Sequence, residues 1–161
     1  LTHDPQLVVE VAAAGSPVVI MHALGTPATM QDDPRYDDVL LDVYDALADR
    51  VALAVAAGIH HDRIVIDPGI GFGKTLDQNL ALLRGIALFH GLGHPILLGA
   101  SRKRFIGTIA GVDDPQARAP GSIAVGLAAI AQGVQILRVH DTTETAQACA
   151  LWQAVNGGDT P

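Results

Sequence analysis

An α/β fold with a parallel sheet is predicted by the order of apolar segments in this chain of 161 residues. Short, continuous runs rich in valine, isoleucine and leucine alternate with longer segments in which apolar residues recur every three or four positions. These are the patterns of buried strands and of amphipathic helices. No hairpin signal joins two strands, so we expect parallel strands connected by helices. An open doubly wound sheet and a (β/α)8 barrel both satisfy these observations.

The predicted strands are short, and at least the first is β-branched, as expected for strands that are covered on both faces. They comprise residues 17–22, 63–67, 95–100 and 134–140. A loop rich in glycine, proline and threonine, residues 23–34, follows the first strand, and a glycine-rich loop follows the second.

The predicted helices have recognisable starts and ends. Asp4 and Pro5 begin the first helix, because a capping side chain precedes proline at the first helical position, and Gly15 ends it. The second helix ends at Gly58 and carries much of the acidity of the chain on its solvent face. The predicted helices comprise residues 5–14, 35–58, 76–93, 101–111, 118–133 and 141–155.

Composition excludes several classes of function. The formal net charge is −7 and the ten Lys and Arg residues are scattered, so the basic stripe needed for nucleic acid is missing. Cys149 is the only cysteine, which excludes an internal disulfide and fits a reducing cytoplasm. No apolar run approaches the 18 or so residues of a membrane span. We therefore expect a soluble, cytoplasmic protein.

Each predicted strand ends in polar or reactive side chains. These groups are Met21-His22, Asp67, Ser101-Arg102-Lys103 and Arg138-Val139-His140-Asp141. One such residue is usually a solvated loop start, but four in succession favour a site, because the ends of parallel strands lie about 5 Å apart. His22 is expected to be structural. The remaining histidines lack metal-ligand spacing and are expected in solvent: His3, His60, His61, His90 and His94.

The second strand leads into the sequence "RIVIDPGIGFGKT", residues 63–75, which is not a nucleotide-binding motif. A P-loop requires glycine where Pro68 stands, and the third glycine of the dinucleotide fingerprint is replaced by Lys74. What remains is the carboxylate of Asp67 at the end of a buried strand. Beside it, a flexible loop is expected to present Phe72 and Lys74 over the cleft.

These residue types suit a ligand that carries both a heterocycle and phosphate. A buried aspartate such as Asp67 can accept two parallel hydrogen bonds from adjacent N–H groups, as in a 2-amino-4-oxo ring. Lys103 adds a donor for other ring atoms. Arg138 and His140 are two positions apart and share one side of an extended strand, so they can clamp phosphate.

Four motifs together resemble the dihydropteroate synthase family of the folate pathway. They are "IMHALGTPATMQ" (20–31), "IDPGIGFGKT" (66–75), "LLGASRKRFIG" (97–107) and "LRVHD" (137–141). The resemblance runs from about residue 17 to residue 152. It implies a (β/α)8 TIM barrel that joins 6-hydroxymethyl-7,8-dihydropterin pyrophosphate to 4-aminobenzoate, releasing pyrophosphate and 7,8-dihydropteroate.

The resemblance implies a role for each residue in substrate binding. Asp67 would hold the amino-pyrimidine edge of the pterin, Lys103 its other polar atoms, and Met21 would pack against the ring. Phe72 and Ser101, with the stem of Lys103, would line the 4-aminobenzoate site, where sulfonamides bind in this family.

The resemblance also implies the catalytic groups, which are Lys103, Arg138 and His140. Pyrophosphate would leave the pterin methylene and the arylamine would attack the resulting cation. Arg138, His140 and Mg²⁺ would stabilise the leaving charge. No protein nucleophile is needed.

The chain is short for a barrel of this family, which needs at least about 200 residues. We expect residues 1–161 to form a single domain with about four of the eight strands, lacking its N-terminal half. The metal ligand of the family would lie upstream of Leu1, with none in this chain. An open half-barrel leaves sheet edges uncovered, so pairing, most simply as a homodimer, is expected. Alone, the chain is expected to be inactive or nearly so.

Two alternatives remain open. Related pterin-binding methyltransferase domains also place an aspartate at a strand end, although the "SRK" and "RVHD" motifs favour the synthase. The other alternative is a half-barrel without catalytic activity that acts as a binding or assembly module.

Overall fold

The computed structural model describes residues 5–25 and 34–157, and within them it confirms the predicted alternation of helices with parallel strands. The strands are β1 (Val18–Met21), β2 (Ile64–Asp67), β3 (Leu97–Leu98) and β4 (Ile136–Leu137). The helices are α1 (Pro5–Ala14), α2 (Val39–Ala56), α3 (Leu76–Arg84), α4 (Arg104–Ala110), α5 (Ala119–Ile130) and α6 (Thr142–Val155). The capping residue Asp4 and most of the predicted loop at residues 23–34 lie outside the described residues.

The strands are neighbours in the order in which they occur in the chain. β1 pairs in parallel with β2, in a register that sets Met21 opposite Asp67. A single parallel bridge between Ile66 and Ile96 continues the sheet towards β3, and β3 pairs in parallel with β4. All four carboxyl ends therefore lie along one edge, where the polar residues were predicted to converge.

Several predicted elements are shorter in the structure than in the sequence pattern. β3 and β4 keep two residues each, and the residues that follow each of them belong to loops. The helix predicted at residues 76–93 stops at Gly85 and continues as a 3₁₀ helix, Ile86–Leu92. The three-residue turn brings Ile86 and Phe89 to the same buried side.

The hydrophobic core lies between the sheet and the helices that pack against it. Its largest fully buried side chains are Phe89, Leu47, Ile64, Ile66, Ile70, Leu82, Ile86, Ile96, Leu98 and Val43. The ring of Tyr44 on α2 packs against Phe89 with 6.2 Å between ring centroids. This contact packs α2 against the 3₁₀ helix.

The prediction that the remaining histidines are solvated was wrong for His94. Its side chain is 4% exposed and stacks on the ring of His61 at 4.0 Å between centroids, just before β3. His90 is half-buried, and its Nε2 lies 2.9 Å from the backbone oxygen of Gln132. Both departures arise from packing between segments that are distant in sequence.

Among the described helices, none combines the length and the apolar character that crossing a bilayer requires.

We expect the buried side chains of β2 to contribute strongly to the free energy of unfolding. Ile66→Ala should lower the free energy of unfolding by about 2–5 kcal/mol, because the side chain is fully buried and its removal leaves a cavity. The control Leu53→Ala removes a side chain that is 69% exposed and should change stability by no more than about 0.5 kcal/mol. Urea unfolding measures both; equal effects would contradict this description of the core.

Candidate functional site

Asp67 is the buried acid at the end of β2, with 3% of its surface exposed. Its Oδ1 accepts a hydrogen bond of 2.8 Å from the backbone N–H of Gly69. None of the hydrogen bonds within the described residues uses Oδ2. Burial raises the pKa of Asp67, while the Gly69 N–H and the cationic groups of Lys103, Arg138 and Lys74 oppose that rise. The carboxylate therefore has one oxygen engaged in the loop, with three cations nearby.

The loop after Asp67 approaches its neighbours so closely that glycine is required. Gly69 has φ +69°, and a Cβ there would lie 1.8 Å from the carbonyl oxygen of His22. At Gly71, with φ +82°, a Cβ would lie 3.0 Å from Cδ of Lys103. The first glycine thus lets the loop pass the end of β1, and the second lets the lysine stem pass the loop.

Lys74 does not extend over the cleft, so this part of the prediction was wrong. Its side chain is 3% exposed, and Nζ lies 3.0 Å from Nδ1 of His22. The same nitrogen donates to the carbonyl oxygens of Gly69 and Phe72, each at 2.9 Å. Burial lowers the pKa of Lys74 to about 7. The amino group of Lys74 therefore anchors the loop that follows Asp67 through these hydrogen bonds.

Lys103, rather than Lys74, lies next to the Phe72 ring at the carboxyl ends of the strands. Its Nζ donates to the carbonyl oxygen of Ile70 and lies 4.3 Å from the centroid of the Phe72 ring, within the range of a cation–π contact. Burial lowers the pKa of Lys103 to about 8, and the positive charge of Arg138 acts in the same direction against the attraction of Asp67.

Arg138 and His140 follow the end of β4, and each contacts the segment that follows β3. The guanidinium of Arg138 lies over Gly99, where a Cβ would come within 2.8 Å of Nη2. The Oγ of Ser101 lies 3.0 Å from Nδ1 of His140 and accepts a hydrogen bond of 3.2 Å from its backbone N–H. Ser101 therefore contacts both the imidazole ring and the backbone N–H of His140 through its hydroxyl group.

A clasp made by Arg102, Asp141, Ser122 and Arg118 joins the loops after β3 and β4. The Arg102 guanidinium makes two hydrogen bonds to the carboxylate of Asp141, one of them 3.1 Å from Nε to Oδ2. Its backbone N–H donates to Oγ of Ser122 at 2.9 Å, and its carbonyl oxygen accepts from Arg118 at 3.1 Å. The Arg102 guanidinium lowers the pKa of Asp141.

The clasp stabilises an unusual backbone conformation at Arg102. Arg102 has φ 59° and is the only non-glycine residue with positive φ in the described part of the chain. This conformation costs about 1–2 kcal/mol for an L-residue, and the contacts of the clasp offset it. Sequence reasoning missed the clasp, since no local pattern signals a left-handed arginine.

An open cavity of about 550 Å³ lies beside Lys103, between the start of α3 and α4. Gly71, Leu76, Phe105 and Thr108 contribute to its wall. The cavity gives the cleft room for a small aromatic molecule next to the Lys103 ammonium.

Within residues 5–25 and 34–157, no group of three or more His, Cys, Asp or Glu side chains could hold a metal ion. The described residues therefore contain no cluster of these side chains that would enclose a metal ion by itself.

A family model described as "Pterin binding enzyme" matches residues 1–140. The chain belongs to the pterin-binding enzyme family. This match confirms the resemblance predicted from the four motifs.

Among known members of the family, the dihydropteroate synthase of Neisseria meningitidis serogroup C is 45% identical over 143 residues, 88% of this chain and 50% of the relative. The Yersinia pestis dihydropteroate synthase, solved with a sulfonamide drug complex, has a TM-score of 0.92 at 39% identity, covering 96% of this chain and 56% of that chain.

The dihydropteroate synthase of Thermus thermophilus was solved in complex with 4-aminobenzoate and, separately, in complex with 6HMPPP. Each has a TM-score of 0.91 and 44% identity and covers 96% of this chain, with 62% and 61% of the relative covered. The chain spans about half the length of the curated relatives it matches.

The predicted site residues fall into two connected groups. Asp67, Phe72, Lys103 and Arg138 are linked by the ring contact and by the mutual effects of their charges on pKa. Ser101 and His140 form a separate hydrogen-bonded pair beside Arg138. Met21 ends β1 next to Asp67, and its Cγ lies 3.5 Å from the position of a Cβ on Gly69. The roles of these residues in binding and catalysis stay predictions.

Gly69→Ala should destabilise the chain more than Gly15→Ala. Both positions have positive φ, but a Cβ at Gly15 meets nothing within 4 Å, whereas at Gly69 it would overlap the His22 carbonyl oxygen. Gly15→Ala should cost about 1–2 kcal/mol from backbone strain, and the overlap should add about 1–3 kcal/mol at Gly69. Denaturant unfolding compares the two variants; a Gly69→Ala cost no greater than that of the control would contradict the close approach.

Stability should rise with pH above 7 because of Lys74. The pKa of its ammonium falls from 10.5 to about 7 on folding, so the unfolded chain binds this proton over that interval and the folded chain does not. Lys103, whose pKa is about 8, adds to the rise only at higher pH. Lys74→Met should therefore flatten the rise from pH 7 upward, and Lys103→Met should flatten it from about pH 8. Urea midpoints across this range test both; unchanged slopes in Lys74→Met would rule out the buried ammonium.

Proposed function

We propose that this chain provides the C-terminal half of a dihydropteroate synthase, which joins 6-hydroxymethyl-7,8-dihydropterin pyrophosphate to 4-aminobenzoate. The observation that carries the proposal is the buried carboxylate of Asp67, surrounded by the cations of Lys103 and Arg138. That combination suits a ligand with a hydrogen-bond-donating ring at one end and an anionic leaving group at the other.

Asp67 holds the pterin by its 2-amino-4-oxo edge in this proposal. Oδ1 is already bonded to Gly69, which fixes the plane of the carboxylate. The carboxylate then receives the amino group and the adjacent ring N–H, an arrangement strengthened by charge. Met21 packs against the ring, and Lys103 donates to its remaining acceptors.

Phe72 and the stem of Lys103 form the 4-aminobenzoate side. Lys103 lines the cavity between α3 and α4, and its Nζ lies 4.3 Å from the centroid of the Phe72 ring, so the ring lies close to one side of that cavity. Ser101 contributes by holding His140 at the boundary between the two substrates. Sulfonamides, as arylamine analogues, are proposed to occupy this same side.

Arg138 and His140 bind the pyrophosphate. The Ser101 hydroxyl can donate its proton to Nδ1 of His140, which leaves a proton on Nε2 for an anionic oxygen. In the reaction, the bond between the pterin methylene carbon and the pyrophosphate oxygen breaks, and pyrophosphate leaves with the electron pair. The arylamine nitrogen then bonds to that carbon and loses a proton. Arg138 and His140 stabilise the departing charge.

The proposal also includes the barrel architecture, the metal and the assembly of the enzyme. The strands of this chain supply four of the eight strands of a (β/α)8 barrel, with the described chain forming one domain. Magnesium is proposed as the cofactor of the complete enzyme, with its protein ligand outside the described residues. The enzyme is a cytoplasmic homodimer. Leu151 and Val155 on α6, 62% and 83% exposed, are available for such an interface.

Incorporation of labelled 4-aminobenzoate into dihydropteroate tests the activity in a complete barrel that carries this chain as its C-terminal half. Product formation that depends on pterin pyrophosphate supports the proposal. Methyl transfer from methyltetrahydrofolate without aminobenzoate incorporation would overturn it, and so would a barrel that binds neither substrate.

In that barrel, Arg138→Ala or Lys103→Ala should lower turnover by orders of magnitude, because each removes a cation that acts on the buried carboxylate of Asp67 and is proposed to contact the substrates. Phe72→Ala should instead raise KM for 4-aminobenzoate more than KM for the pterin substrate, since the ring contacts only one of them. Steady-state kinetics with each substrate varied in turn distinguish these results. Unchanged turnover in the Ala variants of the cations would contradict the assigned site.

A further inference from the structure

Lys74 is one of only two lysines in the chain, and its ammonium is buried under the glycine loop, residues 69–73. Placing an ammonium at such a depth is costly unless every N–H has a partner. Here the three N–H groups meet three acceptors, which are Nδ1 of His22 and the carbonyl oxygens of Gly69 and Phe72. The hydrogen-bonding capacity of Nζ is therefore fully used by the protein.

The two carbonyl groups lie at the two ends of one turn. The backbone N–H of Phe72 donates to the Gly69 carbonyl oxygen at 3.1 Å, closing a turn whose ends are both bonded to Lys74 from below. Lys103 donates to the intervening carbonyl oxygen of Ile70 and lies over the Phe72 ring. The position of that ring therefore depends on the ammonium beneath it.

We propose that Lys74 and His22 are positioning residues, which fix Phe72 for the aromatic amine substrate through their hydrogen bonds to the glycine loop and to each other. This inference rests on the proposed function of the site. His22 shares this positioning role because it connects the loop, through Lys74, to the end of β1. Its side chain is 4% exposed there. Lys74 thus joins two neighbouring strand ends through one nitrogen.

The surrounding charges are compatible with this role. Lys74 is attracted by Asp67 and repelled by Lys103 and Arg50, while burial has the largest effect on its pKa. Arg50 itself donates to the Met21 carbonyl oxygen at 2.7 Å. Loss of the extra proton need not open the loop, because a neutral amine can donate to both carbonyls while accepting from Nδ1–H of His22. The three contacts survive in either protonation state.

Hydrogen exchange on the chain itself provides the first test. Lys74→Met keeps the length of the side chain but removes the donor that three acceptors share, so the amides of residues 69–73 should exchange at least about tenfold faster. Arg84→Met, which removes a cation at the end of α3, away from the loop, should leave them unchanged. Unchanged exchange in Lys74→Met would overturn the inference.

His22 provides a second pair of variants, which serves if Lys74→Met does not fold. His22→Asn retains an acceptor near the position of Nδ1 and should preserve slow exchange, whereas His22→Leu removes it and should accelerate exchange. In a double-mutant cycle, Lys74→Met and His22→Leu together should cost less than the sum of the single changes. Equal behaviour of the Asn and Leu variants, or full additivity, would overturn the role of His22.

Ligand binding separates positioning from a loss of folded protein. In Lys74→Met the affinity for 4-aminobenzoate should fall about tenfold or more, and that for pterin pyrophosphate should fall by a smaller factor. Parallel losses for the two ligands would show a merely structural role and overturn the inference. If the wild-type chain binds neither ligand, the proposed function loses support, and the exchange measurements alone then decide whether Lys74 fixes the loop.

Discussion

A carboxylate buried at the end of β2 is the constraint on which the rest of the site depends. Asp67 would be expensive to hold in its ionised form without compensation, because burial favours the neutral acid. The structure compensates with one backbone N–H and with cations from three different segments. Lys74 comes from the loop after β2, Lys103 from the loop after β3 and Arg138 from the loop after β4. The parallel order of the strands is what brings these segments to one edge, so the fold and the charge balance of the site are one arrangement.

The glycine loop transmits that arrangement to the rest of the cleft. Four of its carbonyl groups accept hydrogen bonds from side chains: those of Gly69 and Phe72 from Lys74, that of Ile70 from Lys103, and that of Gly73 from Tyr36 at 2.8 Å. Asn79 binds the same loop, accepting from the Gly71 N–H at 2.6 Å. A segment with three glycines is therefore held in one shape by its surroundings, and the conformational freedom of glycine is used for close approach rather than for mobility.

Much of this could be predicted from local sequence. The alternation of apolar periods predicted the parallel α/β class, and the polar residue after each strand predicted which edge would carry the site. Lys74 was wrongly expected over the cleft because its burial depends on His22, 52 positions away in the chain. The left-handed Arg102 depends on Ser122 and Arg118 in the same way. Sequence periodicity describes which residues share a face, whereas these contacts arise only when loops from different strands meet.

The central claim is that Asp67 recognises the amino edge of a pterin. Equilibrium binding to this chain of 6-hydroxymethylpterin, compared with the lumazine that carries an oxo group in place of the 2-amino group, tests it most directly. The account predicts that the pterin binds about 10- to 100-fold more tightly, because the lumazine leaves a buried carboxylate oxygen without its donor, at about 1–3 kcal/mol. Equal affinities for the two compounds, or no pterin binding, would contradict the account.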